Sequence, residues 1–528
     1  MKTFRISNSL ISAIVIFLAA IARNGSLYFS KNTPEVGDFA ANSILIQSAK
    51  HFQLFHGNYS RLEFFHPGPA LLQVQALGEL FLHDGLGLVP SQMGGQMIGA
   101  LALNCGLVWL LFSSIESQVG LLKGALFNFV FMVCLMATLP GVVTGFWMPY
   151  LYVIPFTCYV YALALLHTGK LHVAHDKLIF FFSLGLIIHG HASFIGLSLI
   201  GFFASIFSTY FTRQNNLHGM LSEVASLTKP RLILLIPLIF VFPILTDAFV
   251  NFPGEFPSYV RFTRKVAHNE LVDSIRFALR FFPGGPRMVP LFLGALGIQY
   301  FFTNKLLRQN QKGADTCDYR QNMKLSLSCF LLTFMMALIY AYRGIDGLGK
   351  VNYYTLFWTS GGYSLAVAFM INNLVILVIK KWRYVHSFPA HFSPRTFAAC
   401  SAAIMMLTFI ILSPADQGLG MRDPSVEELS GYIVEFKNSR QLSTVRLDYT
   451  EHMQWPLVAG LLLDLERKNI ASCTTWRHMQ FLYTDKLTCP LGAEWDIKLL
   501  PVDQCGGNCS HASGLTGIAV NHTEHSKP

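Results

Sequence analysis

"KNTPEVGDFAANSILIQSAK" (31–50) and "FFHPGPALLQVQALGELF" (64–81) decide how this chain reads. Both segments are apolar enough to pack on something greasy. Both are too polar to span a bilayer, because Asp38, Gln47, Gln73, Gln75 and Glu79 interrupt them. The first reads as an amphipathic helix running from Asp38 to about Phe55, and "HGNYSR" makes a turn. The second helix starts at "HPGP", where Pro67 and Pro69 suit a first turn whose N–H groups have no partner anyway. Two half-polar helices led by an acid, placed just after a greasy segment, read as a surface layer on a membrane protein.

The rest of the chain agrees. Of 528 residues, 52% are hydrophobic and 13% charged, against roughly 25% charged in a soluble domain. Spans need about 20 apolar residues. Candidates lie at 7–24, 93–113, 123–141, 148–167, 178–190, 193–211, 231–248, 287–303, 325–342, 354–379 and 396–413, which makes eleven. The first also has the basic start and short apolar run of a signal peptide, and it is read as a retained span. "LIIHGHASF" divides the 178–211 pair.

With the N-terminus inside, "HTGKLHVAHDK", "RQNNLHGMLSEVASLTKPR", "NKLLRQNQKGADTCDYRQNMK" and "KKWRYVHSFPAHFSPR" all fall in the cytoplasm, as the positive-inside rule requires. The net charge of +10 is then explained by loops, and no nucleic-acid motif accompanies it. Residues 1–414 form the expected membrane domain, with external loops at 25–92 and 249–287. Residues 415–528 form an extracytoplasmic α/β domain. Its four cysteines, Cys473, Cys489, Cys505 and Cys509, point to disulfides in an oxidising compartment, with three pairings open.

The external loop at 249–287 breaks the charge rule with Arg261, Arg264, Lys265, Arg276, Arg280 and Arg287. It reads either as a helix resting on anionic headgroups or as a phosphate-binding surface. Asp38 stands just past the end of the first span, at the membrane–water boundary, where an acid can serve as a general base or ligate a metal. Glu35 is the neighbouring acid. Arg61 and His66 bring cationic character beside a helix N-terminus, which favours anions. His189 and His191 read as a pair lining a polar cavity, and Arg343 and Lys350 share another external loop.

The order of span, Asp38 helix, "HPGP" helix and the span starting at "SQMGGQMIGALALNCGLVWLLF" resembles the start of the GT-C membrane glycosyltransferases. The likeness is to the protein O-mannosyltransferase and aminoarabinose transferase kind. The resemblance is specific over residues 1–115. His66-Pro67-Gly68-Pro69 replaces the family's Lys-Pro-Pro-Leu element, a form that also resembles a bacterial branch of related membrane proteins.

The resemblance implies an all-α polytopic fold and transfer of a sugar from a polyprenyl-phosphate donor to a glycan, lipid or protein acceptor. It places that reaction on the outer face of a bacterial inner membrane. Asp38 would deprotonate the acceptor, or bind a divalent metal that does. Arg61, His66, Arg261, Arg264 and Lys350 would hold the donor phosphate, while Glu35, His189, His191 and Arg343 line the cavity. A transporter or flippase for lipid-linked substrates is the alternative. Such proteins usually show internal repeats and charged, broken helices at mid-membrane, whereas this chain shows no repeat and its spans are nearly free of acids.

Overall fold

The computed structural model describes residues 7–30, 34–60, 62–212, 217–265, 268–308, 314–343, 350–385, 404, 407, 410–412, 422–450, 454–476, 482–505, 509–514 and 516–521. The chain folds as two compact units. One comprises Met1–Gly25 and Ala100–Ala415, the other Ser26–Gly99 and Asp416–Pro528.

The first unit is helical and belongs to a multi-pass membrane protein. Among the described residues seven helices are long and apolar enough to cross a bilayer: Gln92–Val119, Leu121–Thr138, Met148–His167, Ser193–Phe211, Arg231–Val250, Tyr319–Tyr342 and Thr359–Val378. The remaining expected spans differ. Helix α1 (Asn8–Arg23) is apolar but has only 16 residues. The segment 178–190 lies in a 17-residue helix, Ala174–Gly190, that also takes in Asp176 and Lys177. The segment 287–303 lies in Val289–Arg308, and 396–413 falls largely outside the described residues.

Burial sorts these helices. Eighty-nine per cent of the Met148–His167 window is buried inside the protein, against 22% for Arg231–Val250. A helix that is hydrophobic all round and buried is the middle of a bundle. One that is equally apolar and left uncovered is suited to lipid.

In the second unit, α2 (Gly25–Tyr28) leads into α3 (Gly37–Lys50). A hairpin follows, with β1 (Tyr59–Ser60) antiparallel to β2 (Phe64–Phe65). Helix α4 (Ala70–Glu79) starts directly after "HPGP" and continues as a π-helical turn, Leu80–Gly85. Helix α5 (Gln92–Val119) begins in this unit. Helices α4 and α5 cross almost backbone to backbone: a Cβ on Gly78 would lie 2.3 Å from Gly95 O, and one on Gly95 2.7 Å from Glu79 Cα. Small residues at such a crossing let helices approach as side chains would not.

The tail supplies helices Ser425–Arg440 and Trp455–Arg467 and a five-stranded mixed sheet ordered β4-β3-β5-β7-β6. Its strands are β3 (Val445–Tyr449), β4 (Ser472–Thr474), β5 (Ile497–Pro501), β6 (His511–Ser513) and β7 (Thr516–Val520). Strands β3 and β4 are parallel and joined through Trp455–Arg467, a βαβ unit. Disulfides Cys473–Cys489 and Cys505–Cys509 close local loops, and the second packs on β7 where Gly517 has no Cβ to obstruct it.

The tail does not form its core alone. Ala40, Ala41 and Ile44 of α3 and Tyr59 of β1 are buried in one cluster with Val426, Leu429, Val458, Leu462, Leu447 and Leu499. Trp455–Arg467 packs along α3. The expected division assigned residues 25–92 to the membrane domain, whereas in the structure Ser26–Gly99 folds with the tail.

Candidate active site

Asp38 lies in the first turn of α3, directly after Gly37, whose φ of +59° turns the chain into the helix. It is half-buried, and one carboxylate oxygen accepts a hydrogen bond from the Tyr59 hydroxyl. The Tyr59 ring is 9% exposed and belongs to the shared core, so its hydroxyl has a fixed origin. A carboxylate at a helix N-terminus also sits at the positive end of the helix dipole. The result is a half-buried acid held in place by a fixed hydroxyl. That is what a base abstracting a proton from an incoming hydroxyl needs.

Glu35 has a different setting. It lies before α3, bridged to Arg422, and is 1% exposed. Its carboxylate is clasped by Arg467, whose Nη2 donates to Oε1 at 3.0 Å and whose Nη1 donates to Oε2. Burial alone would lower the Arg467 pKa, but the charge of Glu35 and their hydrogen bonds outweigh it and the pKa rises. Both oxygens of Glu35 are therefore occupied by one buried guanidinium.

His66 is 4% exposed. Its backbone closes the hairpin, donating to Asn58 O at 2.9 Å and accepting from Gly57 N at 2.7 Å, and its ring meets Phe64 edge-on with centroids 5.7 Å apart. The expected surface role in phosphate contact is at odds with that burial. Arg61 lies outside the described residues.

The remaining candidates belong to the first unit. Arg261 is exposed on the helix Phe256–Lys265, and the side chains of Arg264 and Lys350 lie outside the described residues. Arg343 is exposed and donates to His268 Nε2 at 3.2 Å, and the His268 ring stacks on Tyr342. His189 and His191 have different hydrogen-bond partners. His189 donates from Nε2 to Phe240 O at 2.6 Å, while His191 Nδ1 accepts from Ser193 N at 3.2 Å. His191 ends the helix Ala174–Gly190, which explains the break between the two halves. Among the described residues no group of three or more His, Cys, Asp or Glu side chains could hold a metal ion.

The structure of ArnT from Cupriavidus metallidurans in the apo state matches this chain with a TM-score of 0.55 at 12% identity, covering 96% of this chain and 97% of that one. This chain has the ArnT fold. The structure of ArnT from the same organism bound to undecaprenyl phosphate matches with a TM-score of 0.52 at 12% identity, covering 98% of each chain. No family model matches the chain, and neither does any curated protein. The fold likeness therefore extends well beyond the first 115 residues, over nearly the whole length of the chain.

Sequence reasoning misses two features of this ArnT-like chain. In the first unit, Arg280 lies over the Tyr353 ring at 5.1 Å. Tyr353 abuts Phe357, which packs on Tyr150 and Phe281, and Trp147 packs on Tyr354. Arginine on an aromatic wall is a cation with fixed placement. A signal is present, since Arg280 belongs to the unusual basic loop, but its aromatic partner is distant in sequence. In the second unit, Glu79 is fully buried and paired with Lys50 at 2.7 Å. Glu79 stands out in the sequence as an acid in an apolar helix, and Lys50 gives no sign of being its partner.

Proposed function

We propose that this chain is a GT-C-type membrane glycosyltransferase that moves a sugar from a polyprenyl-phosphate donor to a glycan, lipid or protein hydroxyl. The observation that carries the reading is the half-buried Asp38, whose carboxylate is fixed by Tyr59 at the start of α3 within an ArnT-like fold. ArnT bound to undecaprenyl phosphate supports a polyprenyl phosphate as partner here.

In the proposed reaction Asp38 takes the proton of the acceptor hydroxyl. The acceptor oxygen then bonds to the anomeric carbon of the sugar. The bond from that carbon to the phosphate oxygen breaks, and the polyprenyl phosphate leaves with the electron pair. A leaving phosphate needs cations, and Arg261 and Arg280 of the basic loop are proposed for that task from their places in the sequence. Arg61, Arg264 and Lys350 are proposed for the same task from their places in the sequence. The reaction is assigned to the outer face of a bacterial inner membrane, with the tail extracytoplasmic.

The test is transfer by the purified full-length protein in detergent, with a panel of radiolabelled polyprenyl-phosphate sugars and mixed envelope acceptors. Transfer that disappears with Asp38→Asn supports the reading. Vesicles in which the protein flips intact donor across the bilayer without cleaving it would favour a flippase instead.

A further inference from the structure

Helix α3 carries Asp38 in its first turn and is gripped at its far end by a buried acid. Glu79, the last residue of α4, has no exposed surface. Its carboxylate accepts from Lys50 Nζ at 2.7 Å, Gln47 Nε2 at 3.4 Å and Gln96 Nε2 at 2.8 Å. Ser43 donates to Gln96 Oε1 at 3.2 Å. Ser43, Gln47 and Lys50 fall at helical spacing, so a single face of α3 is bound to this one acid. Lys50 also meets Asp84 at 2.5 Å, on the π-helical turn that follows α4.

The charges continue towards Asp38. Arg467, clasping Glu35 two residues before α3, also feels the field of Glu79. Glu35, Arg467, Glu79, Lys50 and Asp84 therefore alternate in sign along α3. Buried ionic groups are weak sources of stability, and their best-attested use is to fix register. Sliding or turning α3 by one residue would part Lys50 from Glu79 and leave a buried carboxylate without its cation. Locally, no side chain caps the first turn, because Val36 occupies the cap position.

We infer that Glu79, acting through Lys50 and Gln47, is a positioning residue that sets the register of α3 and with it the placement of the Asp38 carboxylate. The inference deepens the glycosyl-transfer reading and rests on it for its rate measurements.

The experiment compares full-length wild type, Glu79→Gln and Glu79→Asp in detergent by turnover, melting and amide hydrogen exchange. Small misplacements of a reacting group can cost on the order of 10²-fold. Glu79→Gln should lose roughly 10- to 100-fold in kcat, with the donor KM within about twofold of wild type. Glu79→Asp keeps the charge and should recover most of that loss. Amides of residues 40–44, the first with helical acceptors, should exchange faster in Glu79→Gln while those of β3 stay unchanged. An unchanged kcat, or a loss that only follows melting, overturns the inference. If Glu79→Gln does not fold, Lys50→Met replaces it, with the same expected kcat loss and the same overturning result. If the wild type transfers sugar from no donor, the glycosyl-transfer reading falls and the exchange measurement decides alone. Faster exchange confined to 40–44 upholds the anchoring, and unchanged exchange sinks it.

Discussion

The Tyr59 hydroxyl donates to the Asp38 carboxylate and joins the hairpin to the first turn of α3. The tyrosine ring is buried in a core built from both the first loop and the tail. The acid is thus held by a residue 21 positions along the chain and, through the core, by residues some 400 positions away.

Tyr59→Phe keeps the ring and removes only the hydroxyl. Hydrogen bonds to charged groups contribute about 1.5–3 kcal/mol to stability, so the variant should melt at a lower temperature, and the loosened carboxylate should cut transfer per folded molecule by roughly 10- to 100-fold. Asp38→Asn removes the basicity itself and should cost about 10²–10⁴-fold. Initial rates at saturating donor would test the order. Tyr59→Phe matching wild type would mean that the hydroxyl does not hold the working carboxylate.

Glu35 and Arg467 predict a different phenotype. Removing one partner of a buried ion pair costs about 3–5 kcal/mol, and both of these are largely covered. Glu35→Gln should lower the melting temperature and the yield of folded protein, while the rate per folded molecule stays near wild type. A well-folded Glu35→Gln that transfers no sugar would instead make Glu35 the working acid.

The Lys50 clamp has a defined pH window. Burial would lower the Lys50 pKa, but hydrogen bonds to Asp84 and Glu79 raise it above the usual 10.5. Its contribution is therefore complete below about 10.5 and is lost as pH rises through the higher folded value. Burial would raise the Asp84 pKa, but the hydrogen bond from Lys50 brings it below the usual 3.8. That contribution is present above about 3.8 and is lost as pH falls through the lower folded value. His83 also bonds Asp84 at 2.8 Å, so the window is read in a His83→Gln background, where exchange at residues 47–50 should be flat between these limits once corrected for intrinsic rates. Asp84→Asn should remove the acid limb and bring the basic limb to lower pH with it, because Asp84 also holds up the Lys50 pKa; both limbs unchanged in Asp84→Asn would contradict the pairing.

Local features of this fold are legible in the sequence, for physical reasons. A bilayer imposes a span length, so most of the apolar runs form helices where expected. Proline at a helix start is a local matter, and α4 begins at Ala70 directly after "HPGP". Asp38 is legible because an acid opening a half-polar helix is unusual, and Cys473, Cys489, Cys505 and Cys509 because cysteines gather where they oxidise. Partnerships distant in sequence are not legible. Nothing at Arg467 points to Glu35, nothing at Lys50 to Glu79, and nothing at Tyr353 to Arg280. Spacing likewise makes His189 and His191 a pair, and only the helix break at His191 separates them.

The tail disulfides give a mass-spectrometric prediction. Non-reducing peptide maps should contain Cys473–Cys489 and Cys505–Cys509. Closing a loop of that first size contributes about 3 kcal/mol in the chain-entropy model. Cys473→Ser with Cys489→Ser should therefore lower the melting of the second unit measurably. Crossed pairs, or four free thiols, would refute the pairing.

Removing the tail should cost more than the tail. A chain ending at Ala415 would uncover Ala40, Ala41 and Ile44 of α3, and would leave Glu35 without Arg467. Ile44 alone stands for about 1.5–3 kcal/mol of burial, and an isolated helix as short as the 14-residue α3 is marginal in water. The truncated protein should still insert, because its apolar helices are intact. Residues 26–99 should become sensitive to protease, and transfer should vanish although Asp38 is present. An independent appended domain would leave both the cleavage pattern and the rate of the truncated chain unchanged. That result would show that α3 and Asp38 are held without the tail, and that the shared core is not what fixes the acid.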